Sequence, residues 1–87
     1  MNAIHIPLPL PNAESRLAAK RVITNDGCWE WGGCRDRDGY GFISLAGKEW
    51  RVHRVAAALW LDFDLLSPLL ICHHCDNPPC FNPAHLF

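Results

Sequence analysis

The chain has 87 residues, enough for one small domain; 49% are hydrophobic and four are Trp, a composition that excludes a disordered chain. Its longest uninterrupted apolar run is the seven residues 55–61, far short of the roughly 20 that a membrane-spanning helix needs. The formal net charge of −1 hides an asymmetry: all eight Lys and Arg lie between Arg16 and Arg54, where only five acids accompany them. That local surplus suits contact with phosphates, and equally suits a solvated helix and hairpin.

Ordering each residue costs about 1.5 kcal/mol, which a core of this size barely offsets, so a staple is expected. Residues 1–11 carry no Lys or Arg and alternate Pro with Leu from Pro7 to Pro11, which reads as an extended arm and not as an export signal. Five cysteines, an odd number, in a chain without such a signal favour a metal over disulfides.

In chain order, Asn12 can cap a helix over residues 13–23, with Glu14 in its first turn and Lys20 and Arg21 near its end. Asn25, Asp26 and Gly27 stop it. Cys28-Trp29-Glu30-Trp31 and Tyr40-Gly41-Phe42-Ile43-Ser44-Leu45 are rich in aromatic and β-branched residues and read as strands, with turns at Gly32-Gly33 and Asp38-Gly39. Ala46-Gly47-Lys48 turns into a strand over residues 49–52, so a sheet of two or three strands is expected. Val52, Val55, Ala56, Leu59 and Trp60 recur at helical spacing, which predicts a helix over 52–61 with one buried face. Leu69-Leu70-Ile71-Cys72 then reads as a buried strand.

Residues 72–87 hold three of the five cysteines and three of the five histidines. Cys75, Cys80 and His85 are each five apart, and Pro78, Pro79 and Pro83 stiffen the connections. Thiolates and an imidazole on short rigid loops suit tetrahedral Zn²⁺, which takes four ligands when its role is structural. The fourth comes from Cys28 or Cys34; Cys28 is preferred because it opens a predicted strand, whereas Cys34 lies in a loop.

Gly27-Cys28-Trp29-Glu30-Trp31, Asp38-Gly39-Tyr40-Gly41, His53-Arg54-Val55-Ala56 and the run from Cys72 to Leu86 together resemble the HNH endonucleases of the ββα-metal class. The likeness is to their zinc-stabilised branch, which includes the His-Cys box homing endonucleases and many phage HNH proteins. It implies an α+β fold: a small zinc-stapled domain with a short antiparallel sheet, one or two helices and a ββα-metal-like C-terminal loop. On this reading residues 1–26 form an arm and short helix, and 27–87 the nuclease-like domain.

The resemblance implies Cys28, Cys75, Cys80 and His85 as zinc ligands, His73 as general base and Asn82 as the residue bracing the loop. His74 is expected to face away from His73, because side chains alternate along a strand. A catalytic Mg²⁺ or other divalent cation is implied, with double-stranded DNA as substrate and a bacterial or phage-infected cytoplasm as location. Arg51 and Arg54 are the expected phosphate contacts, with Arg35 and Arg37 as further candidates. A homodimer is one assembly this allows. The family's last His or Asn, which holds the cation from a helix after the His-Leu pair, has no counterpart up to Phe87. The expectation is therefore a fold that forms but nicks DNA poorly, and the alternative is a zinc-stabilised DNA-binding module, or a zinc domain for protein contacts.

Overall fold

The computed structural model describes residues 12–45 and 47–87; the Pro-Leu arm expected over residues 1–11 lies outside them. Helix α1 (Ala13–Ala19) leads into strand β1 (Arg21–Ile23), which forms an antiparallel hairpin with β2 (Trp29–Trp31) in the register Arg21↔Trp31 to Ile23↔Trp29. A second hairpin joins β3 (Phe42–Leu45) to β4 (Lys48–Arg51), closing through Gly47 at φ +79°, and α2 (Val52–Trp60) follows directly. A single 3₁₀ turn, Pro83–His85, ends the chain.

The helix expected over 13–23 stops at Ala19. Val22 and Ile23 are β-branched, and pairing with the Trp-rich strand gives them a ladder that a third helical turn would not. Asn12 makes no side-chain cap; its carbonyl instead accepts from Arg16 N at 3.0 Å and Ser15 Oγ at 3.2 Å. The turn back is set by Thr24, whose hydroxyl accepts from Cys28 N at 3.1 Å, and by Gly27 at φ +86°.

Two separate sheets replace the single one expected, because both edges of β2 are taken. One edge holds β1. On the other, Trp31 N donates to Pro79 O at 3.0 Å and Phe81 N to Trp29 O at 2.8 Å, so the Cys80 segment lies where β3 would otherwise pair.

The buried strand expected at 69–72 does not form. Leu69 and Leu70 are 68% and 81% exposed, and Leu65 is the side chain of this stretch that sinks into the core. Its backbone is satisfied by Arg54, whose guanidinium donates to the carbonyls of Leu69 at 2.7 Å, Ser67 at 2.6 Å and Leu65 at 3.4 Å. Pairing begins only at Cys72, which exchanges both backbone hydrogen bonds with Phe87.

The core gathers Ala13 and Leu17 of α1, Trp31, Ile43, Leu45, the buried face of α2 and Phe81. Residues 12–26 thus share one core with the rest. Phe81 is fully buried, with Trp29 and Trp31 set edge-on to it at centroid distances of 5.7 and 6.0 Å. No helix among the described residues is long and apolar enough to cross a membrane.

Candidate metal centre and adjoining cleft

Three segments meet at one point. Cys28 enters from the start of β2, Cys75 and Cys80 from the proline-stiffened loop, and His85 from the 3₁₀ turn. Their ligand atoms all lie within 4.8 Å of one another, and they form a group able to hold a metal ion. His85 Nδ1 stands 3.5 Å from both Cys28 Sγ and Cys80 Sγ. With Zn–S of about 2.3 Å and Zn–N of about 2.0–2.1 Å, the S···N edge of a zinc tetrahedron is about 3.5 Å, so this donor set fits zinc.

Burial pushes the Cys80 thiol up to about 12, so without a cation beside it the group stays protonated. Zinc, when bound, would draw the protons from such thiols and supply the staple that a small core needs. Cys34, the alternative fourth ligand, is exposed in the loop after β2 and outside the cluster.

Asn82 locks the assembly. Its Nδ2 donates to Gly27 O at 2.7 Å and its Oδ1 accepts from Ala84 N at 2.9 Å, so one side chain ties the Cys28 turn to the His85 turn. Asn77 Nδ2 donates to Glu30 Oε2 at 2.8 Å and pins the intervening loop to β2.

His73 sits beside this centre. Its Nε2 lies 2.9 Å from Cys80 O, and its ring lines an open cleft of about 690 Å³ with Tyr40, Arg51, His53 and Asp76. His74 is exposed and does not line the cleft; its ring stands 4.3 Å from that of Phe87. Of the arginines expected to meet phosphate, Arg51 and Arg54 both line the cleft, but differently. Arg54 is spent on three carbonyls, whereas Arg51 is half-exposed, pairs with Asp36 at 3.3 Å and lies over the Tyr40 ring. Arg35 is turned inward onto Trp31 O, and Arg37 is exposed in the turn 36–39.

His53 was not singled out from sequence as a site residue, beyond its place in the His53-Arg54 motif. It is 6% exposed, stacks on His73 at 5.0 Å, and its Nε2 lies 3.2 Å from Ile71 O. Burial, with His73 nearby, lowers its pKa to about 4 and keeps it neutral. A histidine on the buried face of an amphipathic helix was the available signal.

The fold and this centre define a small α+β protein with a Cys/His knuckle compatible with zinc and a histidine-lined cleft against it. Over 73 residues the chain is 39% identical to Protein 2.8 of Escherichia phage T7, a match covering 82% of this chain and 48% of the phage protein. The chain thus spans about half the length of that relative. No family model matches the sequence, and no solved structure does.

Proposed function

We propose that the chain carries the core of an HNH-type DNA nuclease, stapled by zinc at Cys28, Cys75, Cys80 and His85, with His73 as general base. The observation supporting this reading is the hydrogen bond between His73 Nε2 and Cys80 O. A carbonyl oxygen only accepts, so Nε2 carries the proton and the lone pair is on Nδ1. Nδ1 is then free to take a proton from a water as the water's oxygen attacks phosphorus and the bond to the 3′ oxygen breaks. In this reading Arg51, half-exposed at the cleft, meets a phosphate oxygen, which its position beside His73 supports.

A divalent cation such as Mg²⁺ stabilises the leaving oxygen in hydrolysis of this kind. Among the described residues the Cys28 cluster is the group able to hold a metal, and the ligand types lining the cleft, His73, Asp76, the exposed Cys72 and the buried His53, form no such group. The cleft residues therefore do not make a cation site by themselves, and no step is assigned to one.

Supercoiled plasmid incubated with the zinc-loaded chain and Mg²⁺ tests the reading. Weak nicking is expected, with His73→Ala slower again by about 10²- to 10⁴-fold. In a gel shift, affinity should fall steeply with salt, since contacts to the backbone release counterions. Intact plasmid with a salt-dependent shift would instead favour the DNA-binding module, and no shift at all would leave a zinc domain for protein contacts.

A further inference from the structure

We infer that Tyr40 is a positioning residue for His73, the hub of a three-ring cluster that sets the plane of the base and joins it to the cleft's exposed arginine. The inference rests on the role proposed for His73, though its first readout does not require cleavage. The Tyr40 ring centroid lies 5.9 Å from that of His73 and 5.3 Å from that of His53, and the two imidazoles stack at 5.0 Å. The interplanar angle is 24° between the two stacked imidazoles, while Tyr40 is tilted by 32° to His53 and 37° to His73 and leans against both. Arg51 places its guanidinium carbon 4.8 Å from the Tyr40 centroid.

Tyr40 is itself held firmly. Asp36 Oδ1 accepts from Tyr40 N at 3.0 Å, and Asp36 N donates to Tyr40 O at 2.8 Å. The other carboxylate oxygen meets Arg51 at 3.3 Å. One residue on, Gly41 lies so close to Trp31 that a Cβ there would come within 2.5 Å of the indole, which prevents the turn from sliding.

The need for such a hub follows from the base. A single hydrogen bond to Cys80 O fixes one atom of the His73 ring and leaves rotation about the N···O axis open. His53 stacked on the ring and Tyr40 tilted against it together close that freedom, and Nδ1 then addresses the cleft in one direction. A displacement of about 1 Å in a reacting group can cost about 100-fold in rate, so a neighbour that sets a plane has kinetic weight.

The test uses the zinc-loaded 87-residue chain with Tyr40→Leu, which fills space without stacking, and Tyr40→Phe, which keeps the ring. Ring ¹⁵N–¹H spectra, with His73 assigned by its loss in His73→Gln, should show one Nε2–H tautomer in the parent and in Tyr40→Phe, and a mixture in Tyr40→Leu. Plasmid nicking should show kcat lower by about 10- to 100-fold in Tyr40→Leu with KM little changed, and Tyr40→Phe close to the parent. Should Tyr40→Leu lose its zinc, Tyr40→Met is read in its place. A parent-like tautomer in the non-aromatic variant, or a Phe variant no better than Leu, overturns the inference. If the parent nicks no DNA, the nuclease reading fails and the spectra alone decide the positioning role.

Discussion

Residues 53 and 73 show how one chemical group takes two characters from its surroundings. His73 stands at the cleft with a hydrogen-bonded Nε2, while His53 lies beneath it, 6% exposed, with an Nδ1 that finds no partner. The lowered pKa of His53, about 4 against 6.5, makes stability depend on pH with a definite sign. Above pH 6.5 both folded and unfolded chains hold it neutral. Between 6.5 and 4 the unfolded chain binds a proton that the folded one refuses, so stability falls with pH over that window and falls no further below it. The loss amounts to about 3 kcal/mol. Urea midpoints of the parent and of His53→Phe, measured from pH 7.5 to 4.5, should diverge as pH drops, with the variant losing less. Parallel curves would mean that the imidazole titrates normally in the fold.

Single residues also carried most of what could be read from sequence about the site. Cys75, Cys80 and His85 were legible because loop spacing and ligand chemistry are local facts, and Cys28 because a strand start is a rigid place for a long-range thiol. Tyr40 and His53 were not legible as a pair with His73. Their meeting depends on how the second hairpin and α2 pack, and no spacing within the chain encodes that. Likewise the sequence reads Arg54 as a phosphate contact, whereas its three carbonyl partners depend on the path of the loop after α2.

At the scale of elements, α2 and the β3–β4 hairpin matched their hydrophobic periods, since each is decided by its own side chains. The end of α1 and the fate of residues 69–72 did not, because partners distant in sequence overrode local preference: β2 captured β1, and Arg54 captured the loop. The junction between the turn 36–40 and β3 offers a clean test of element packing. Gly41 is buried, and the position its Cβ would take lies 2.5 Å from Trp31 Cδ1, while Gly33 leaves 2.7 Å to Trp31 Nε1. Both glycines are therefore small for room around the indole. Gly41→Ala should destabilise by about 1–3 kcal/mol through overpacking. Its thermal midpoint and near-ultraviolet circular dichroism, set against an alanine at the open Gly47, report on it; Gly47→Ala has space and acts only through its positive φ. A Gly41→Ala protein as stable as the parent, with an unchanged tryptophan signal, would mean that Trp31 has slack the packing does not suggest.

The whole molecule is joined through Cys80. Its sulfur belongs to the metal cluster, its carbonyl orients His73, its segment completes the edge of β2, and its neighbour Phe81 packs against Trp29 and Trp31. Removing a metal held there would therefore act at once on the core, the second edge of β2 and His73. Structural zinc supplies about 10–16 kcal/mol of apparent binding free energy, which is folding free energy when the empty cluster cannot hold its thiols together. That is as large as the whole stability of about 5–15 kcal/mol typical of small domains, so loss of zinc should remove the fold as a unit. A chelator titration followed by near-ultraviolet circular dichroism and by the His73 ring resonance should give coincident transitions, with Cys80→Ser already on the unfolded side at room temperature. Transitions that separate, with the tryptophan signal surviving after His73 has lost its single tautomer, would show a core that stands without the metal and confine zinc to the cleft. A chelated protein unchanged in both signals would remove zinc from the account of the fold altogether.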